Sequence, residues 1–403
     1  MQHADSYPST ASAVPLPLRG RIELAKPFAS AQLHPMSLFP SASCPRLIVK
    51  IGSALLVDPD GGVRKEWLAG IAADIAGRVR AGQQVAVVSS GAIALGARRL
   101  KLAKGGRASL EDAQAAAATG QIELSRVWAE MLGANGLTAA QMLVTLGDLE
   151  DRRRYLNAAA TLDRLLGLGV IPILNENDSV ATEEIRFGDN DRLAARVAQA
   201  AGAQGVVLLS DVDGLYDRNP ADPAAQHIPR VERIDARIEA MADAGSGSGM
   251  GSGGMVSKIA AARIANAAGA HLAIASGHIE RPLSAEARHT LFVAEKAAPA
   301  RKAWLAGRLT ARGTIHVDAG AAKALGQGRS LLAAGATRVE GDFARGDLVV
   351  IAGPDGRQLA RGLAEYPSDD AQRILGRRNE EQAELLGYAP RSTLVHRSHM
   401  ALL

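Results

Sequence analysis

From residue 46 onward the chain alternates short apolar runs with longer stretches whose apolar residues return at helical spacing. That is the pattern of βα units on a mostly parallel sheet. The runs 47–51, 85–88, 170–174, 206–209 and 272–275 predict strands. Between them Leu68, Ile71, Ile75 and Val79, and then Leu156, Leu162, Leu165 and Leu166, each trace one apolar face of a helix. A doubly wound α/β domain follows, and in such sheets ligands collect beyond the carboxyl ends of the strands. The residues at those ends are Lys50-Ile51-Gly52-Ser53, Ser89-Ser90-Gly91-Ala92, Asn175-Glu176-Asn177-Asp178 and Ser210-Asp211.

With 403 residues, 47% of them hydrophobic, the chain can bury a core large enough for two domains. Aromatic residues are only 3%, so that core is built from aliphatic and small side chains, and stacking on nucleic acid is poorly served. The formal charge of +4 is scattered along the chain and reads as solubility. Cys44 is the single cysteine, which excludes an intrachain disulfide and any zinc site with two or more thiolates; a reducing, cytoplasmic setting fits. No window approaches the roughly 18 apolar residues of a membrane helix. Residues 1–44, rich in Ser, Pro and Ala with five charges, are expected to be a disordered tail, and Met36 is a candidate start. After about residue 300 the texture turns to short runs at 313–317, 330–332, 347–351 and 358–360, which predict a small β-rich domain. The expected map is a tail over 1–44, an α/β domain over 46–283, a linker over 284–309 and a β-rich domain over 310–397.

Lys50 ends a strand, where an ammonium group calls for an anion, and Gly52 after it lets the backbone offer its amide to a ligand. Ser89 to Ala92 lead into a helical run, whose start suits a phosphate or carboxylate as well as an ordinary serine cap. The Gly/Ser run 245–254 delivers Lys258 to another helix start, with Ser257 as the expected cap. Gly249, Gly251 and Gly254 match a dinucleotide fingerprint, but a helix precedes them where a strand is required; a Walker A loop fails at Met255. Asn175 to Asp178 and Gly188 to Asp191 supply carboxylates and amides suited to an ammonium-bearing substrate, to a divalent metal, or to turns alone. Asp211, close to a buried sheet end, is expected to face lysines or a metal-bound nucleotide. His396 and His399 read as a solvated end and Arg152 to Arg154 as a solvated helix face.

These blocks, in this order, resemble the amino acid kinase family from residue 46 to about residue 397. The carriers are Val49-Lys50-Ile51-Gly52-Ser53, Ser89-Ser90-Gly91 through Gly96, Asn175 to Asp178, Gly188 to Asp191, Ser210-Asp211 with Gly214-Leu215-Tyr216, and Ser252 to Lys258. Gly313 to Asp318, Gly320-Ala321, Ser330 to Leu332, Val339 to Phe343 and Arg345 to Asp347 look like a PUA domain. The resemblance implies a three-layer sandwich with a mostly parallel central sheet. It also implies phosphoryl transfer from ATP, with Mg²⁺, onto the side-chain carboxylate of L-glutamate at the head of proline biosynthesis. Carried over by motif, Lys50, Lys258 and Asp211 are catalytic, with Asp211 orienting both lysines. Ser90, Asp178 and Asn190 hold glutamate. Lys50, Ser210, Asp211, Ser252, Gly253, Gly254, Met255, Val256, Ser257 and Lys258 hold ATP, and the Gly52 and Gly91 amides meet the phosphoryl group. No side chain is assigned to the metal.

Feedback inhibition by proline and a homo-oligomer are further implications of the resemblance. Ser53 and Ser210 stand where such enzymes often carry threonine, and the glycine loop is long. Two rival readings are a relative acting on acetylglutamate, aspartate, carbamate or a nucleotide, and an RNA-binding protein working through the PUA-like domain. Asp178 favours a free ammonium over an acetylated one or a phosphate. Residues 310–403 carry 12 Lys and Arg against 11 Asp and Glu, too even a balance for strong binding to a phosphate backbone.

Overall fold

The computed structural model describes residues 38–58, 62–180, 189–244, 254–284, 287–294 and 310–403. Ten strands belong to the first domain: β1 (Arg46–Ile51), β2 (Gln84–Ser89), β3 (Ala139–Val144), β4 (Ile171–Glu176), β5 (Gly205–Ser210), β6 (Leu215–Tyr216), β7 (His227–Ile228), β8 (Arg230–Val231), β9 (His271–Ser276) and β10 (His289–Phe292). Eight of them form one sheet in the order β3-β4-β2-β1-β5-β9-β10-β8, parallel throughout except where β10 runs against β9. All five strands expected from apolar runs are present. β10 lies in the stretch read as a linker: its four residues alternate half-buried and buried, so they lack the continuous apolar run that marks a central strand.

Strand period sorts side chains between two cores. Leu47, Val49, Ile51, Val85 and Val87 face one layer with α1 (Ser53–Leu56), α2 (Lys65–Arg80), α3 (Ala92–Leu100) and α4 (Leu110–Gly133). Ile48, Ala86, Val88, Val206 and Leu208 face the other, with α5 (Leu146–Glu150), α6 (Arg152–Gly167), α7 (Asp189–Ala201), α8 (Ala236–Ala244) and α9 (Met255–Ala267). Lys50 shares the parity of Ile48 and so belongs to the α7 and α9 side.

Residues 38–44, expected to be part of a disordered tail, are held by α2; residues 1–37 lie outside the described ones. Arg78 is buried, and its guanidinium donates to the carbonyls of Leu38 and Phe39 at 2.9 and 3.2 Å and to the Gln83 side chain at 2.9 Å. A buried guanidinium needs acceptors, and this segment supplies them. Cys44 is buried beside it, and burial pushes its thiol up to about 11.

The second domain is a five-stranded sheet, β12-β11-β13-β14-β15, built from β11 (Gly313–Val317), β12 (Ala336–Gly341), β13 (Leu348–Ala352), β14 (Gln358–Leu363) and β15 (Met400–Leu402). Around it lie α10 (Ala319–Gly326), α11 (Ser368–Arg373) and α12 (Asn379–Leu386). The run 330–332 makes only a single bridge, Leu331 to Val395. The domain seats Leu348, Leu363 and Ala401 on Tyr155, Leu156 and Ala159 of α6 and Ala200 of α7, all buried. Arg345 donates to Asn157 across this contact, and Glu365 faces Arg345 at 3.4 Å and His399 at 3.5 Å. His399 is therefore buried against the first domain and is not a solvated end: the preceding turn feeds β15, which pairs with β14. Burial pushes the Glu365 carboxyl up, but His399, Arg345 and Arg391 together hold it below its ordinary value.

α3 and α4 cross at two glycines. A Cβ on Gly96 would lie 1.8 Å from the Ala116 carbonyl oxygen, and one on Gly120 would lie 1.8 Å from that of Ala92. Gly120→Ala must push the helices apart, and a loss of about 1–3 kcal/mol or more is expected. A fall in the urea midpoint at unchanged m-value checks this.

Candidate active site

Lys50 Nζ lies 2.6 Å from Asp191 Oδ1, and Lys258 Nζ lies 3.4 Å from Asp191 Oδ2. The Asp191 side chain is fully buried, and those of the two lysines are 10% and 6% exposed. Burial alone would push the Asp191 carboxyl up; the ammonium groups of Lys50 and Lys258, by charge and hydrogen bond, bring it below its ordinary value. Asp191 occupies the first turn of α7, where a helix favours a negative charge. Lys258 occupies the first turn of α9, capped by Gly254, so two helix starts and the end of β1 meet at one carboxylate. Within this triplet two cations face one anion in a nearly dry site, and the triplet's own surplus of positive charge suits an incoming anion.

Beside it runs a chain of uncharged groups. The Asn190 amide nitrogen donates to Ser90 Oγ at 2.7 Å and to Asn175 Oδ1 at 3.2 Å, and Asn175 donates to Gln121 Oε1 of α4 at 2.9 Å. Trp128 of α4 donates to Ser89 Oγ at 2.9 Å, fixing the end of β2. Gly91, at φ 114°, caps α3 in a left-handed conformation that a side chain would strain. Asn190 Oδ1 is buried without a hydrogen-bond partner. Asp178 is buried too, opposite no cation among the described residues, and burial alone pushes its carboxyl up to about 6. Asn190 Oδ1 is an acceptor in want of a donor, and Asp178 is a carboxylate in want of a cation.

A cleft of about 490 Å³ opens past the ends of β5 and β9, lined by Asp211, Val212, Asp213, Ser276, Ile279 and Arg288 among others. Gly277 N–H donates to the Ser210 carbonyl at 2.8 Å and ties the two strand ends together. Ser210 is buried, and its hydroxyl donates to Asp211 Oδ1 at 2.8 Å. Among the described residues no three His, Cys, Asp or Glu gather as a metal cluster.

Lys50 and Lys258 thus share Asp191, Ser90 bonds Asn190 one residue before it, Asp178 lies just beyond the end of β4, and Gly52, two residues after Lys50, is open enough for a Cβ to stand 3.8 Å from Lys50 Nζ. The carboxylate that bridges the two lysines is Asp191; the sequence reading gave that place to Asp211. Asp211 is exposed at the cleft, so the burial cost expected of it does not arise. Gly254, not Ser257, caps α9, and Met255 opens the helix and packs on the core while Val256 is exposed. Ser252 and Gly253 lie outside the described residues, as do Gly188, Gly249 and Gly251. Asp191 was read with Gly188 to Asp191 as a partner for a substrate ammonium, a metal or a turn and not for the lysines, while Gln121, Asp213 and Arg288 received no role from the sequence. Helical parity offers a signal for the first of these, because Asp191 heads the apolar face that Ala194, Ala195 and Ala198 continue.

A three-layer α/β sandwich with a buried ion triplet of two lysines and one carboxylate, and a cleft at its strand ends, suits a phosphoryl-transferring enzyme, and the family match places the chain in that class. Residues 45–276 match the amino acid kinase family and residues 313–385 the PUA domain. The chain belongs to the amino acid kinase family and carries a C-terminal PUA domain. It is 80% identical over 368 residues to the glutamate 5-kinase of Sphingopyxis alaskensis, covering 91% of this chain and 100% of that protein. It is 61% identical to the glutamate 5-kinase of Novosphingobium aromaticivorans (90% and 97% covered) and 59% identical to that of Zymomonas mobilis (91% and 94% covered). No helix among the described residues is long and apolar enough to cross a membrane.

Removing the charge at Asp191 leaves two buried ammonium groups without their anion. Asp191→Asn is expected to destabilise the fold by about 3–5 kcal/mol and to abolish most turnover. Denaturant unfolding and single-turnover kinetics measure the two effects separately.

Proposed function

We propose that the protein transfers the terminal phosphoryl group of ATP to the side-chain carboxylate of L-glutamate, giving L-glutamyl 5-phosphate at the first step of proline biosynthesis. The observation that carries this is the Lys50–Asp191–Lys258 triplet, buried and net positive beside the Ser90–Asn190–Asn175 chain. Relatives called glutamate 5-kinase, similar over nearly their whole length, support the choice of acceptor.

The reaction needs no base. A glutamate side chain has an ordinary pKa near 4.3 and reaches the site already ionised. What remains is to hold two anions together and to absorb charge on the transferring group. Lys50 and Lys258 meet that group and the leaving phosphate, and Asp191 holds both ammonium groups in place. The Gly52 and Gly91 amides add donors. Asp178 and Asn190 Oδ1 take the substrate ammonium, which gives Asp178 a cation and Asn190 Oδ1 a donor. ATP lies along the cleft by Ser210, Asp211 and Asp213, followed by the loop from Ser252 to Lys258. With no carboxylate cluster among the described residues, the site fits a Mg²⁺ carried on the nucleotide, near the exposed Asp211. Bound there, it would offset phosphate charge. The family likeness also supports inhibition by proline, a homo-oligomer and a cytoplasmic setting. An RNA-binding role has only the PUA domain in its favour.

Incubation with ATP and each candidate acceptor, with hydroxylamine to trap acyl phosphates, tests the reading. A hydroxamate with glutamate is expected, and its absence would refute the assignment. One unit charge near 4 Å contributes about 4 kcal/mol at an effective dielectric of 20, and roughly half of that survives losses. Lys258→Met should therefore lower kcat by about 30-fold or more while leaving the KM for glutamate close to its original value.

Asp178 yields a pH signature. Its carboxyl titrates near 6 in the free protein, so below that pH it is neutral and cannot pair with an ammonium group. The kcat/KM for glutamate should fall about tenfold per pH unit below about 6. Bound ammonium lowers the same pKa, so kcat should break at lower pH. Asp178→Asn should remove the kcat/KM break.

A further inference from the structure

The helices that carry the ion triplet bear a second cationic group further along. Arg196 stands five residues beyond Asp191 on α7, and Arg263 five beyond Lys258 on α9, about 7.5 Å along each helix axis. With Arg152 at the start of α6 they line a cleft of about 430 Å³, closed on one side by Leu363 of the PUA domain. Leu149, Tyr155 and Ile264 give it an apolar wall.

Glu150 is the only carboxylate in the lining, and it pairs with Arg196 at 3.5 Å. Arg152 meets Asp347 at 3.9 Å, and Arg263 pairs with Glu239 on α8. A guanidinium has five N–H donors in a fork that fits a carboxylate or phosphate, and one carboxylate engages at most two of them. Three such forks around an apolar wall, in a space of metabolite size, form a recognisable receptor for an amphiphilic anion.

We infer that this cleft binds a small organic anion, with its charged end between Arg196 and Arg263 and its apolar body against Tyr155 and Ile264, and that occupancy acts on the ion triplet through α7 and α9. Drawing the two guanidinium groups onto one anion shifts the helices whose first turns hold Asp191 and Lys258. The coupling to turnover rests on the catalytic reading above; the binding does not.

Titration calorimetry on the full chain, with glutamate and a non-hydrolysable ATP analogue saturating the active site, tests the binding with phenyl phosphate and phenylacetate as probes. Binding of at least one probe is expected, and the choice between them separates a phosphate ester from a carboxylate. The double variant Arg196→Gln, Arg263→Gln should weaken it about tenfold or more. Ala267→Phe, at an exposed position of the lining, fills the cleft with every charge kept and should weaken it as well. Failure of both probes to bind, or affinity unchanged in both variants, would overturn the proposal. In turnover assays the bound probe should change the KM for glutamate about twofold or more in the unmodified protein and not in Ala267→Phe. Binding without such a change would overturn the coupling and leave the catalytic reading untouched.

Discussion

Two ammonium groups can share a protein interior only around an anion, and the fold of the first domain is arranged so that one carboxylate serves both. The even parity of β1 sends Lys50 to the α7 and α9 side, the first turn of α7 presents Asp191 there, and the first turn of α9 brings Lys258. Each of the three depends on the sheet order that places β1 between β2 and β5. On the proposed reading, the charge left over is what would draw phosphate to the site; a triplet with two carboxylates and one lysine, in the same place, would repel it.

In the proposed reaction, the two faces of the sheet serve its two halves. Odd positions of β2 and β4, Ser89 and Asn175, turn toward α4 and are braced by Trp128 and Gln121. The even position on β1 turns the other way. Asn190 and Asp191 are neighbours at the start of α7, and the rotation of about 100° per residue points one at the uncharged chain and the other at the lysines. One helix start thus sets the spacing between the uncharged chain and the ion triplet, so small movements of α7 affect both.

Central strands were legible because burial on both faces demands an unbroken apolar run. β3 and β10 were not: β3 is an edge strand with most of its residues part exposed, and β10 is four residues long with Thr290 buried in it. The lysines and Ser90 were legible because each stands at a strand end or helix start. The bridging carboxylate was not, since Asp178, Asp189, Asp191 and Asp211 look alike in sequence and only the packing of α7 against β1 separates them. His399 was misjudged for a related reason. A polar tail reads as solvated until a carboxylate such as Glu365, 34 positions earlier, is seen to wait for it inside the fold.

The clamp around Arg78 sets how far the chain can be shortened. Leu38 and Phe39 contribute carbonyl oxygens to a buried guanidinium, and their side chains pack against the core that holds Leu47 and Val207. Trimming that stops before these two residues leaves the guanidinium solvated by peptide. Trimming that takes them leaves that buried cation with only the Gln83 side chain and the Leu283 carbonyl of its four acceptors, so the low-complexity leader ends, in energetic terms, a few residues before its composition does.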